Sequence, residues 1–176
     1  MPPSPFLEAL SASGPVQDRA SGLQLYAFLV GSWSLDVRLP LPDGSSLRSR
    51  GEVHAGWVLE GRAIQDTWIV PARGLPRGQL PAAAEFYGTT LRVYDPGLDA
   101  WHILWSDPVR QFYTRQIGRA HGDDIVQEGK NDAGDLVRWS FTRIKPNSFR
   151  WLGERSLDAG TTWQLQAEFL ARRVPA

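Results

Sequence analysis

The sequence predicts an all-β protein, a closed or nearly closed antiparallel up-and-down barrel of about ten strands with one short N-terminal helix. Apolar and polar residues alternate with a period of two over most of the chain beyond Gly31, which is the pattern of half-buried strands. The 17 Gly and 13 Pro residues fall largely between the alternating segments, where they favour turns. Helical periodicity does not recur after residue 95, so antiparallel pairing is expected rather than parallel crossovers.

The N-terminal part is predicted to contain an arm and then a helix. Residues 1–15 are rich in Pro, Ser and Ala without periodicity, and we interpret them as a flexible arm. The single domain is then expected to span residues 16–176. Helical spacing of apolar residues over 16–30, with Asp18 near the start and Gly31 available to end the segment, predicts one short helix.

The strand predictions follow the alternation from one turn signal to the next. In the first, Trp33, Leu35, Val37 and Leu39 share one face. The predicted strands are residues 33–39, 50–57, 62–70, 85–94, 100–106, 111–119, 124–130, 136–144, 148–156 and 161–173. Between the third and fourth lies a loop, residues 71–84, which is predicted to form a lid or rim because loops this long are often functional. A floppy insertion is the alternative.

A meander of about ten strands is expected to close on itself, because strongly twisted open sheets of this size curl or split. Closure also removes the exposed edge strands. A β-sandwich with Greek-key connections is the alternative architecture.

Several stretches resemble a known class of barrels. Residues 28–33, Phe-Leu-Val-Gly-Ser-Trp, resemble the opening of lipocalin-like (calycin) barrels, where a short helix leads into a Gly-x-Trp at the first strand. Residues 56–62 and 94–96, with Trp101 and Trp105, are similar to an uncharacterised bacterial family of such barrels. The likeness covers nearly the whole chain after residue 20. It implies a barrel that holds a small, largely apolar ligand, and it supplies no reaction.

Composition excludes several classes of function. The 19 basic and 19 acidic residues balance, so nucleic acid is not an expected partner. The absence of cysteine excludes disulfides and thiolate chemistry, and it fits a cytoplasmic location. We expect no signal peptide and no membrane insertion, because the start lacks a basic segment followed by an unbroken apolar one and no apolar run reaches 18 residues.

Catalytic and cofactor motifs are also missing. His54, His102 and His121 lie on three different segments, so neither a metal site nor any other cofactor is expected. Some lipocalin-like barrels bind haem through a histidine near the C-terminal strands, but here no histidine follows His121. The sequence contains neither a Gly-x-Ser-x-Gly elbow nor a glycine-rich phosphate loop.

The tryptophans indicate one buried face. Six of the 8 are predicted on the more apolar side of their strands: Trp33, Trp101, Trp105, Trp139, Trp151 and Trp163. Such a face fills the barrel interior or lines a pocket for a small molecule. The predicted ligand contacts are Trp57, Trp68, Tyr87, Thr89, Trp105, Gln127, Trp139 and Trp151, whereas Trp33 is expected to plug the barrel bottom.

Carboxylates are the remaining candidates for acid–base chemistry. If Asp66 or Glu128 points into an aromatic interior, desolvation raises its pKa and makes proton transfer accessible; outward pairing with arginine is the alternative. The predicted function is therefore binding or carriage of a small hydrophobic or aromatic molecule. The alternatives are a cofactor-free cyclase, isomerase or hydrolase that uses one of these carboxylates, and an interaction module with an exposed apolar patch.

Overall fold

Ten antiparallel strands form a closed barrel in the computed structural model, which describes residues 4–175. Each strand from β2 to β10 pairs with the next, and β11 pairs back with β2. A two-residue strand, β1, is added to β3 on the outside. The strands are β1 Ser11–Ala12, β2 Gly31–Pro40, β3 Ser46–Val58, β4 Ala63–Val70, β5 Phe86–Asp95, β6 Ala100–Asp107, β7 Phe112–His121, β8 Asp124–Lys130, β9 Leu136–Lys145, β10 Ser148–Ser156 and β11 Gln164–Val174. The predicted fold class is confirmed.

The N-terminal segment, predicted as a flexible arm over residues 1–15, contains regular structure among its described residues. Helix α1 spans Pro5–Leu10, and the Ser4 hydroxyl accepts a hydrogen bond from the Leu7 amide at 3.4 Å. Proline at the first helical position is favoured because its missing N–H would be unpaired there. Ser11 of β1 then pairs with Val58 of β3, which attaches this segment to the barrel wall. Residues 1–3 of the predicted arm lie outside the described residues.

The predicted helix over 16–30 consists of three short helical segments. They are a 3-10 helix at Gln17–Arg19, helix α2 at Ala20–Leu23 and a second 3-10 helix at Gln24–Leu29. Leu23, Tyr26 and Leu29 are fully buried, which shows that these segments cover one end of the barrel. Apolar packing rather than helix propensity holds them there.

Trp33 joins the helical segments to the first long strand. Its indole N–H donates a hydrogen bond to the Leu29 carbonyl at 2.8 Å, and its ring packs against Phe149 at 4.7 Å between centroids. We call the end of the barrel that the helical segments cover the closed end. Among residues 4–175, no helix is long and apolar enough to cross a membrane.

Two glycines within strands make room for large rings in the interior. A Cβ at Gly88 would overlap the Trp105 ring, and a Cβ at Gly153 would overlap the Trp151 ring. Strand glycines commonly mark such close approaches. These two positions therefore leave room for the indoles of Trp105 and Trp151 against the inner wall.

A β-bulge reverses the inward-facing pattern at the start of β11. Gly153 pairs with Ala167, but Glu154 pairs with Leu165, so that Gln166 is an extra residue. A one-residue shift moves every preceding side chain to the opposite face. Trp163 consequently stacks outside the barrel, under the Arg138 guanidinium at 4.0 Å. The prediction that Trp163 shares the buried face is therefore wrong.

Candidate functional site

A cavity of about 780 Å³ opens at the end of the barrel opposite the helical segments. The connections after β2, β4, β6 and β8 all reach this end, because successive strands run in opposite directions. They contribute Leu41, residues 81–84, Val109, Arg110 and Asn131 to the cavity lining. We call this the open end, and the cavity the interior cavity.

Aromatic rings form the wall of the interior cavity. Trp151 and Phe169 are stacked, with centroids 4.7 Å apart and planes inclined by 10°. Trp139 contacts Trp151 at 5.6 Å and meets Trp105 edge-on at 5.9 Å. Trp68 lies 5.8 Å from Trp151. Rigid rings around a volume of this size are typical of small-molecule pockets.

A buried ion pair forms the floor of the interior cavity. Arg92 lines the cavity, and its Nη2 lies 2.7 Å from Oδ2 of Asp66. The two side chains are 2% and 0% exposed. The other carboxylate oxygen of Asp66 accepts a hydrogen bond from the Thr90 amide at 3.1 Å. Oδ1 of Asp66 is therefore hydrogen-bonded, and Oδ2 is neutralised by the Arg92 guanidinium without a well-aligned hydrogen bond.

A polar network connects the floor to the helical segments. Gln127 Oε1 accepts hydrogen bonds from Arg92 Nη1 at 3.2 Å and from the Tyr26 hydroxyl at 2.9 Å. Gln127 Nε2 donates to Gln116 Oε1 at 3.3 Å. Burial raises the pKa of Tyr26 well above its ordinary value, so this hydroxyl stays protonated and acts as a donor. The network fixes the Arg92 guanidinium below the cavity.

The loop over 71–84 is tied to the rim of the open end. Arg110 forms a salt bridge with Asp107 and donates a hydrogen bond from Nη1 to the Ala83 carbonyl at 3.1 Å. Glu85 holds the middle of the loop, because its Oε1 accepts hydrogen bonds from the amides of Gly78 at 2.6 Å and Leu80 at 3.3 Å. The loop thus forms part of the rim; its action as a lid stays a prediction.

Four of the predicted ligand contacts line the interior cavity: Trp68, Trp105, Trp139 and Trp151. Two others are buried away from its lining. Trp57 lies in the core opposite Ile64 of β4, and Gln127 lies in the network beneath the floor.

Tyr87 and Thr89 face outward, which corrects their predicted position in the interior. Tyr87 is 41% exposed, and Thr89 is half-buried and donates a hydrogen bond to the Asp66 carbonyl at 2.7 Å. Their side of β5 also carries Leu91 and is the more apolar of the two by sequence. The inner side instead carries Arg92, which is buried because Asp66 of β4 neutralises it.

The two candidate acid–base residues lie in different environments. Asp66 is fully buried, as one of the two predicted alternatives required. Glu128 is exposed, and it pairs in register with Arg138 of β9 on the outer face. The possibility that Glu128 points into the aromatic interior is therefore corrected.

Arg92 and Phe169 line the interior cavity but were not predicted from the sequence. Arg92 had an available signal, because an inward Asp66 requires a nearby cation, and Arg92 lies on the neighbouring strand. Phe169 belongs to the strand that contains the bulge, so its inward direction depends on a register that alternation alone does not provide.

All three histidines lie outside the cavity lining. His54 Nε2 lies 3.0 Å from a Glu52 carboxylate oxygen, and His102 Nε2 lies 3.0 Å from Asp95. Within the described part of the chain, no group of three residues with metal-binding side chains converges.

A second depression, of about 980 Å³, lies outside the barrel at the closed end. Side chains of both charges line it, including Asp99, Arg119, Asp124 and Lys145. It lacks the continuous aromatic wall and the buried polar floor of the interior cavity. The interior cavity is therefore the better candidate site.

Comparison with known proteins supports the fold. The chain is similar to the crystal structure of Rv2717c from M. tuberculosis, with 17% sequence identity, a TM-score of 0.60, and coverage of 88% of this chain and 98% of that chain. A redesigned β-barrel is similar at 12% identity and a TM-score of 0.42, over 85% of this chain and 94% of its own. No family model matches the chain, and no curated protein matches it significantly. The likeness to the M. tuberculosis protein bears on the barrel fold alone.

Proposed function

We propose that this protein binds or carries a small hydrophobic or aromatic molecule in the interior cavity. The observation that carries the proposal is the ring of Trp68, Trp105, Trp139 and Trp151 around a volume of about 780 Å³. Closed barrels with an interior of this kind can hold one small ligand. The lipocalin-like resemblance supports the same function. We also propose a cytoplasmic location, with which the cysteine-free sequence is consistent.

The size of the cavity sets the expected affinity. A ligand that buries about 300 Å² of apolar surface gains about 7 kcal/mol at about 25 cal/mol per Å². Loss of translational and rotational freedom offsets part of this gain. Since a micromolar dissociation constant corresponds to about 8 kcal/mol, apolar burial alone predicts dissociation constants weaker than micromolar.

The enzymatic alternative has less support. It required a buried carboxylate that could exchange a proton with the ligand. Asp66 is buried, but Arg92 and the Thr90 amide occupy its oxygens, and Asp66 does not itself belong to the cavity lining. Glu128 lies on the outer surface. The geometry therefore favours binding over proton transfer.

A titration with N-phenyl-1-naphthylamine, an uncharged fluorescent hydrophobic probe, tests the proposal. We expect saturable enhancement of probe emission together with quenching of the protein's tryptophans. Absence of saturation by this probe and by a panel of other apolar molecules would overturn the proposal.

Two substitutions on β11 show where the probe binds. Ala167 lines the cavity, so Ala167→Phe should fill the space and abolish binding. Leu170 is 45% exposed on the outer face, so Leu170→Phe should leave binding unchanged. Equal affinities in both variants would place the probe outside the interior cavity and contradict the proposal.

A further inference from the structure

Buried N–H donors remain unmatched around the interior cavity. The indole nitrogens of Trp68 and Trp105, both in the cavity wall, find no protein acceptor within residues 4–175. The Nε of Arg92 at the floor is also without a protein acceptor in that range. Trp68 is 4% exposed and Trp105 is 6% exposed. An unpaired donor this deeply buried is costly, so such groups need an account of what they bind.

The charges around the interior cavity are already neutralised. Arg92 at the floor is paired with Asp66 at 2.7 Å, and Arg110 at the rim is paired with Asp107. The remaining charged residues of the lining are paired as well. Glu154 accepts from Arg138 at 2.9 Å, and Arg155 lies 3.7 Å from Asp135.

An ion in this cavity would lose its hydration without gaining a free counter-charge. The cavity therefore disfavours charged ligands of either sign. Among residues 4–175, the one buried carboxylate oxygen without a hydrogen bond, Oδ2 of Asp66, already contacts the Arg92 guanidinium at 2.7 Å, and Asp66 does not line the cavity. The unmatched groups of the cavity wall are therefore the indole donors.

We propose that the cavity selects an uncharged, planar aromatic or conjugated molecule that carries a hydrogen-bond acceptor such as a carbonyl oxygen. The stacked pair of Trp151 and Phe169 supplies the flat apolar surface, and Trp68 or Trp105 supplies the donor. This inference rests on the proposed function, because it names the class of ligand for the same cavity.

Three naphthalene derivatives of nearly equal shape test the inference. 2-Acetylnaphthalene has a carbonyl acceptor, 2-isopropenylnaphthalene replaces the oxygen by CH₂, and 2-naphthoate replaces the methyl ketone by an anion. Affinities are measured by equilibrium dialysis with the full chain at neutral pH. We expect the ketone to bind more tightly than the carboxylate. If the carboxylate binds more tightly, Arg92 acts as an anion receptor and the inference is overturned.

Substitutions at the two donors isolate the hydrogen bond from the hydrophobic contribution. Trp68→Phe and Trp105→Phe keep an aromatic ring and remove the N–H. In at least one of them, the ratio of ketone to alkene association constants should fall about tenfold, as expected for one lost hydrogen bond. Trp101→Phe is the matched control, because the Trp101 N–H is also buried without a protein acceptor among residues 4–175 but Trp101 does not line the interior cavity. An unchanged ratio in both donor variants would overturn the inference.

An infrared measurement on the unaltered protein tests the inference without the use of variants. The infrared carbonyl stretch of bound 2-acetylnaphthalene should lie at lower frequency than in hexane, because a donor weakens the C=O bond. A frequency equal to that in hexane would contradict the inference. If the alkene binds without a preference for the ketone, only the ligand class is wrong; if neither binds, the proposed function fails as well.

Discussion

Arg92 and Asp66 form an ion pair in the middle of the barrel, with 2.7 Å between Nη2 and Oδ2 and side chains that are 2% and 0% exposed. The pair divides the interior into two parts. Above it lies the interior cavity, and below it the Arg92 guanidinium stacks over the Tyr26 ring at 5.2 Å. The floor of the cavity and the packing of the helical segments thus share one residue.

Removal of either partner of this pair should destabilise the fold. Asp66→Leu leaves a buried cation, and Arg92→Met leaves a buried anion, so each should cost about 3–5 kcal/mol of unfolding free energy. The double variant should cost less than the sum, because it leaves no uncompensated charge. Chemical denaturation of the four proteins measures this coupling. Strictly additive losses would show that the two side chains do not interact.

The strand glycines under the cavity indoles should resist substitution. Gly88→Ala places a Cβ inside the Trp105 ring, so we expect a loss of about 1–3 kcal/mol from overpacking and weaker probe binding as the indole shifts. Gly56→Ala is the control, because a Cβ there meets nothing within 4 Å. Thermal melting and probe titration of both variants check this. Equal melting temperatures would contradict the packing of Trp105 on Gly88.

Arg173 should be a major anchor of the closed end. Its guanidinium donates hydrogen bonds to the carbonyls of Phe28 at 2.7 Å, Val30 at 2.8 Å and Pro146 at 2.8 Å. It also stacks on Trp33 at 4.1 Å. Arg173→Ala should cost about 2–3 kcal/mol, since each carbonyl loses a charged donor.

The neighbouring residue provides the control for Arg173. Arg172 is exposed, and Arg172→Ala should change the unfolding free energy by less than about 0.5 kcal/mol. Arg173→Lys should recover only part of the loss, because lysine lacks the planar fork. Denaturant titrations would contradict this anchor role if Arg173→Ala and Arg172→Ala were equally stable.

The barrel was predictable from the sequence because turn residues and the alternation of apolar and polar residues are local features of the chain. Turn residues such as those in Asp95-Pro96-Gly97 end each strand near the observed boundary, and alternation identifies most inward faces. Trp105, Trp139 and Trp151 were accordingly placed on the buried face, and Trp68 was predicted as a ligand contact; the structure brings all four to one cavity.

The features that were not predicted from the sequence depend on contacts between residues that are far apart in the chain. On β5 the inner face contains a charged residue, and only the pairing of Arg92 with Asp66 makes that face the buried one. Trp163 faces outward because of the extra residue Gln166, which appears only when β10 and β11 are paired. The short strand β1 likewise depends on pairing with β3.

Protonation of Glu52 should destabilise the protein at low pH. The hydrogen bond from the Arg73 side chain is the largest cause that holds the pKa of Glu52 at about 2, and the Arg73 amide and His54 contribute. Because this pKa is below its ordinary value, the stabilisation is complete above about pH 4.5. It is lost as the pH falls toward 2, where folded Glu52 also becomes protonated.

The comparison of wild type with Glu52→Gln isolates this contribution from other carboxylates. Arg73 donates to Glu52 Oε1 at 2.8 Å from both its amide and its Nε, and glutamine keeps the shape while it removes the charge. The difference in unfolding free energy between the two proteins should be constant from about pH 7 to 5 and should shrink between about pH 4.5 and 2. Denaturant titrations across this range measure it. A difference that stays constant down to pH 2 would show that the carboxylate is not held ionised by Arg73.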